Sequence, residues 1–437
     1  MERSLRIGIL HYSCPPVVGG VEEMLHQHAL IFHRMEQSVC ILAGMGEVFT
    51  DVFPVRIESV LGSRHIQVSK AHEQSRKGDY GLQKKLTNRI LKLLVDWSSD
   101  LDVIVAHNVL QMPFNLPLTL ALRRLAISNN GPAVVSWAHD SPYFQHHPPD
   151  FLHHHPWTVL KNPHPDIHYV TISESRRVLF EEQDRAIKWK VIPNGIDPVS
   201  FLYLDPKSVK LATELDLFSR DLVVVQPSRI TPRKNVELAI HIVRGIKLLG
   251  YNILFILTGA YDPHEGRAVS YYRRLKYWVN ELELKDNIAI LAEYRFKDRT
   301  KLVPSRIFIR DLYLMADMLL MTSKDEGFGL PLLEAGLIKL PIACPNIPPF
   351  VEIGRDICFF HLDDPPLSTA GRIIEYLGRT NTHKMFRHVV GKHVLYEVCK
   401  DELLPYLFEI TDSRTRQSPS QDVTENSPWP STGLDTL

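Results

Sequence analysis

The sequence predicts an α/β protein built as two doubly wound halves. Three observations predict it. The chain has 437 residues, more than one hydrophobic core serves, so two domains are expected. Short apolar runs of strand length alternate with segments whose apolar residues recur at helical spacing. That alternation stops after Asp197 and restarts near Leu222, which places a domain boundary between about residues 197 and 220. Each half therefore reads as a doubly wound domain, its strand C-termini lining a ligand crevice.

Bulk composition narrows the function. Lys+Arg and Asp+Glu are 50 each, for a formal net charge of zero. Nothing in that balance points to nucleic acid. The five cysteines, Cys14, Cys40, Cys344, Cys358 and Cys399, form no C-x-x-C pair. They read as free thiols of a reducing compartment. No apolar run approaches the roughly 20 residues that span a bilayer. The first residues pass straight into a strand-like run, too short for a signal peptide. A cytoplasmic protein is expected.

Leu5–Tyr12 reads as a buried strand, followed by a loop closing in Gly19-Gly20 and a helix over Val21–Met35. Glycines there let a ligand approach the backbone, or simply make a tight turn. G-x-G-x-x-G is missing, so this is no dinucleotide fingerprint, and Gly44-Met-Gly46 adds little. Val39–Gly44 and Val52–Val60 read as strands and Leu82–Trp97 as an amphipathic helix. Asp102–His107 is a strand preceded by Asp100, and this D-x-D sits at the wrong strand end for a crevice metal site. Phe114–Ile127 is a helix, on which Arg123-Arg124 reads as a packed helix end before it reads as a membrane contact. Pro132–Trp137 runs into His139, a candidate site residue or a core histidine. Residues 141–166 are dense in histidine and proline. No cysteine or glutamate completes a metal set there, so the segment reads as a mobile loop covering part of an active site. His168–Ile172 is a strand, Ser173 an N-cap, and Lys190–Asp197 a short strand and turn.

In the second half, the strand Leu222–Gln226 ends in Pro227-Ser228-Arg229. Lys234 then heads the helix Val236–Leu249. An arginine fork and a lysine point charge at that position suit a diphosphate. Strands Asn252–Gly259 and Asn287–Leu291 follow, around a helix Ala268–Leu282. A basic stretch comes next, with Arg295, Lys297, Arg299, Lys301, Arg306 and Arg310. Ala316–Met321 is a strand leading into Glu326-Gly327-Phe328-Gly329-Leu330 and, eight residues after Glu326, Glu334. Strand, glycine loop and helix present N–H groups to an anion. Carboxylates repel phosphate, so the two glutamates fit hydroxyls, as on a sugar and a ribose. Helices fill 366–411. Beyond about residue 413 Ser, Thr, Pro, Gln and Asp dominate, which reads as disorder.

Taken together, Arg229-x4-Lys234, the E-x7-E of Glu326 and Glu334, Gly19-Gly20-Val-Glu22, His139 after a strand, and Pro193-Asn-Gly-Ile-Asp197 resemble the retaining glycosyltransferases of family four. The resemblance covers residues 5–410. It implies the GT-B architecture, two Rossmann-like domains facing an interdomain cleft. The domains are expected at 1–200 on the acceptor side and 201–385 for the nucleotide-sugar, with C-terminal helices at 386–412 packing back toward the first domain and a tail at 413–437. It also implies roles. Arg229 and Lys234 would neutralise the donor diphosphate. Glu334 would bind the ribose, and Glu326 with Gly327, Phe328, Gly329 and Leu330 the donor sugar and phosphate. Gly19 and Gly20 would approach the diphosphate, and His139 the donor sugar. The reaction expected is hexosyl transfer to an acceptor hydroxyl with retention, with no metal in the site and no cofactor beyond the nucleotide-diphosphate sugar as co-substrate. The acceptor is left open by the sequence: a sugar, a sugar acid, a lipid-linked glycan or a secondary metabolite. The basic stretch lies where the family holds the nucleotide base, which leaves base identity open. Two other readings fit the same architecture: a nucleotide-sugar epimerase or glycan phosphorylase, and a non-catalytic nucleotide-sugar binding protein.

Overall fold

The structure is a computed structural model that describes residues 4–128, 131–259 and 266–417. It divides into two compact units. Of the described residues, one unit holds those up to Asn194 together with those from Leu395 to 417, the other those of Gly195–Val394.

The first unit is built on seven parallel strands: β1 (Arg6–His11), β2 (Ser38–Ala43), β3 (Val55–Ile57), β4 (Val103–His107), β5 (Ala133–Ala138), β6 (Ile167–Thr171) and β7 (Lys190–Val191). They lie in the order β3-β2-β1-β4-β5-β6-β7. The continuous apolar strands follow from burial on both faces. Ile7 and Ile9, with Val103 and Val105, enter one core, while Leu10, Ile104 and Ala106 enter the other. Register is fixed on both sides of β1, with Ile7 opposite Val39 and Val103. Chain order reverses between β1 and β4. That is the switch point where crevices open at strand C-termini.

The second unit repeats the plan with six parallel strands: β8 (Leu222–Gln226), β9 (Ile253–Leu257), β10 (Ile288–Ile290), β11 (Met318–Leu320), β12 (Ile342–Pro345) and β13 (Cys358–Phe360). Their order is β10-β9-β8-β11-β12-β13, with the switch point between β8 and β11. Both Rossmann-like sheets expected from the sequence are therefore present.

The last residues return to the first unit. Leu395–Val398, a π-helical turn Cys399–Leu403 and the helix Leu404–Gln417 place Leu395, Leu403, Leu407 and Ile410 in the same core as Ile7 and Val103. Arg414 donates to the carbonyls of Ala126 and Ser128. Helix thus continues past residue 413, where composition reads as disorder; residues 418–437 lie outside the described residues.

Several elements differ from expectation. The strand expected over Val52–Val60 is only Val55–Ile57, followed by a 3-10 turn at Ser59–Leu61. A helix at Ile66–Arg76 was not anticipated, because it buries only Val68, Ala71 and Ser75, too narrow a stripe to show periodicity. The segment 141–166 is not a featureless loop. Three 3-10 turns fold it around Leu152, Trp157 and Leu160, which pack with Leu116. Arg123 ties it down by donating to the carbonyls of Val159 and Asn162, and Arg124 donates to Asn88. The D-x-D carboxylate Asp102 is a structural partner, pairing with Arg6 at 2.8 Å. All five cysteines are free thiols, and among the described residues no helix is long and apolar enough to cross a membrane.

Candidate functional site

In the second unit the switch point gathers the residues that the sequence singled out. β8 ends at Gln226, and the chain turns through Arg229 into a 3-10 turn, Pro232–Lys234. β11 ends at Leu320 and leads through Thr322 and Ser323 to Glu326. The two loops are stitched together. Lys324 N donates to the Arg233 carbonyl at 2.9 Å, and Thr322 Oγ1 donates to the Lys234 carbonyl at 3.0 Å. Gln226, fully buried, donates toward Ser228 Oγ at 3.2 Å.

At the centre, the Lys234 ammonium pairs with Glu326 Oε1. The same carboxylate accepts from Ser323 Oγ at 2.7 Å, and Arg233 lies 3.7 Å from Oε2. Both side chains of the pair are largely shielded, at 15% and 9% exposure. A buried charge needs such partners. Arg229 is exposed at the end of β8. Gly329 has φ +109°, and a Cβ there would meet Phe350 at 2.9 Å, so the turn requires glycine. It launches the helix Leu330–Leu337, whose N-terminus carries partial positive charge. Gly327 has open space where a Cβ would stand, and Phe328 and Leu330 are exposed. Glu334 projects from that helix and accepts from the Tyr313 hydroxyl at 2.9 Å. Tyr313 is held protonated, chiefly by burial and then by that carboxylate.

Gly259, at the end of β9, has a role beyond closing the strand. A Cβ there would fall 1.6 Å from the Ser228 carbonyl oxygen. The β8 loop that carries Arg229 lies directly against it.

In the basic stretch, Arg295 and Lys301 form an isolated antiparallel bridge. Lys210 pairs with Asp298 and Arg310 with Asp311.

In the first unit, the corresponding crevice is lined by histidines. His11 closes β1, His107 closes β4 and His139 follows β5. His28 comes from the helix Gly20–Arg34. The ring centroids of His28 and His107 are 5.2 Å apart, and those of His107 and His139 are 6.0 Å apart. Burial lowers every pKa in the group. His28 is pushed down to about 3 by burial and then by His139, and His139 to about 4 by burial and then by His11. His107 is lowered well below its ordinary value by burial, with His28, His139 and His11 adding to it. Asn108 in the left-handed region (φ 49°) turns its side chain to accept from the backbone N–H groups of His139 and Asp140. His139 is thus positioned by Asn108. Gly20 has open space at its Cβ position, whereas a Cβ at Gly19 would strike Glu22 Oε2 at 2.1 Å. Among the described residues no cluster of three or more His, Cys, Asp or Glu side chains is arranged to hold a metal ion.

The geometry now has comparisons to stand beside. Residues 210–358 match the family Glycosyl transferases group 1. The mannosylglucosylglycerate synthase of Petrotoga mobilis is 24% identical over 369 residues, covering 77% of this chain and 81% of its own length. The serotype-specific mannosyltransferase WbdA of Escherichia coli is 37% identical over 70 residues, 16% of this chain and 9% of that protein. The O-antigen chain mannosyltransferase RfbU of Salmonella typhimurium is 35% identical over 83 residues, 19% of this chain and 21% of its own. Residues 210–358 thus form a domain of the group 1 glycosyl transferases, and the chain that carries it is a glycosyltransferase.

Proposed function

We propose that the enzyme moves a hexosyl group, with mannosyl the first candidate, from a nucleotide-diphosphate sugar to an acceptor hydroxyl. The paired Lys234 and Glu326 beside the Gly327–Leu330 turn carry the proposal. Mannosyl is favoured because the Petrotoga, WbdA and RfbU relatives bear mannosyl names.

In this reading the bond from the anomeric carbon to the diphosphate oxygen breaks as the bond to the acceptor oxygen forms. The acceptor proton passes to the departing phosphate. Charge builds on the diphosphate, and Lys234, Arg229 and the N-terminus of Leu330–Leu337 are the groups suited to stabilise it. Glu326 orients Lys234 through its pairing and takes a hydroxyl of the donor sugar. Glu334 takes the ribose, and Tyr313 orients it. Retention follows the family resemblance, and no side chain is assigned to a metal.

The test is a thermal-shift panel of nucleoside diphosphates and their sugars, followed by transfer assays with the donor selected. Selective stabilisation by one base is expected. Lys234→Ala is expected to lower kcat by about 10²–10³-fold, the usual loss for one leaving-group donor. Unchanged turnover in Lys234→Ala or Glu326→Ala overturns the site. Retention is read from the anomeric configuration of the product, and turnover is expected to survive a chelator. Conversion of the donor with no acceptor present would instead mark an epimerase.

A further inference from the structure

His11 and Glu22 in the first unit stand in an unusual relation. His11 Nδ1 lies 2.6 Å from the carbonyl oxygen of His107. A carbonyl only accepts, so Nδ1 carries the hydrogen and donates it. Burial lowers the His11 pKa, outweighing the raising effects of that hydrogen bond and of Glu22. Near pH 7 the ring is therefore neutral, and its Nε2 bears a lone pair. That lone pair is 3.9 Å from Glu22 Oε1, too far for a hydrogen bond. The same Oε1 already accepts from Ser13 Oγ at 2.6 Å. Two acceptors thus face each other, both largely shielded, with side-chain exposures of 7% and 13%. The helix dipole accounts for an acid in the first turn of Gly20–Arg34. It does not account for the unprotonated nitrogen opposite.

We propose that His11 Nε2 and Glu22 Oε1 form a hydroxyl-accepting subsite that takes adjacent hydroxyls of the acceptor sugar. The proposal rests on the glycosyl-transfer reading. Both atoms accept, so the ligand must donate, and a polyol supplies donors on neighbouring carbons. A phosphate or carboxylate ligand is disfavoured by the Glu22 charge. The pair sits at the end of β1, beside β4, at the switch point of its sheet. Gly19 leaves the space that the carboxylate fills.

The experiment uses the full chain labelled with 15N-histidine, titrated with mannose, glucose and glycerol. The His11 Nε2 resonance is expected to move as a hydroxyl donates to it, and Glu22→Gln is expected to weaken that response. In transfer assays Glu22→Gln is expected to raise the acceptor KM by about tenfold or more, the cost of a hydrogen bond to a charged group, with the donor KM unchanged. Gln keeps the size of Glu and still accepts from Ser13, so the loop is preserved. His11→Gln is a second variant read in the same way. An Nε2 resonance insensitive to all three polyols, or an unchanged acceptor KM in both variants, overturns the subsite. Failure of every nucleotide-sugar to bind the wild type overturns the transfer reading instead, and the polyol titration still decides the subsite.

Discussion

At the residue scale, the buried histidines of the first unit make stability depend on pH. His28 and His139 have native pKa values near 3 and 4, against about 6.5 in an unfolded chain. A base whose native pKa is lowered binds fewer protons folded than unfolded. Its contribution to stability is present above pH 6.5 and is lost as pH falls toward the native value. Each such group costs up to about 1.4 kcal/mol per pH unit in that window. Urea midpoints are expected to fall steeply between pH 6.5 and 4, and His28→Leu is expected to flatten that slope. An unchanged slope would move the acid sensitivity elsewhere. The sequence showed His139 but not its company. His11, His28 and His107 are separated by tens of residues, and only the parallel register of β1, β4 and β5 brings three of the four to one end of the sheet.

At the element scale, the loops after β8 and β11 hold the candidate donor site, and Gly259 after β9 lies directly against the first of them. Gly259→Ala would push a methyl into the Ser228 carbonyl. The expected result is a destabilisation of about 1–3 kcal/mol, as for other overpacked sites, and weaker nucleoside diphosphate binding as Arg229 is displaced. Calorimetry of unfolding and of ligand binding checks both. Full stability in the variant would mean that the loop after β8 and the loop after β9 can separate freely. Much of this element was legible beforehand. Glu326, Gly329, Glu334, Arg229 and Lys234 stand in motifs of fixed spacing. What was hidden was long-range: Ser323 and Lys234 converging on one carboxylate, Tyr313 supporting Glu334, and Gly259 against Ser228. Likewise the His/Pro segment 141–166 declares its turns but not the small core around Trp157, which depends on Leu116 from another helix.

At the scale of the whole molecule, the division into two parallel-sheet units could be read from the restart of strand and helix alternation. The part that residues 395–417 play in the first core could not be read from local pattern, because Leu395, Leu403 and Leu407 share that core with residues several hundred positions earlier. Leu403 is fully buried there. Leu403→Ala is expected to cost about 2–5 kcal/mol, the range for truncating a buried leucine, and to lower the unfolding transition of the first unit alone. Two-transition calorimetry separates the units, and a shift confined to the second unit would contradict the packing.

The second unit begins and ends at one place: Ile196 and Val394 form a parallel bridge, and Ile196 N donates to the His393 carbonyl at 2.8 Å. In sequence it is an uninterrupted stretch of chain that lies between the two segments of the first unit. During synthesis, which proceeds from the N-terminus and lets domains fold as they emerge, this middle stretch has all of its strands before the first unit has its closing helices. The residues that complete the first unit's core, from Leu395 on, are therefore made only after every strand of the second.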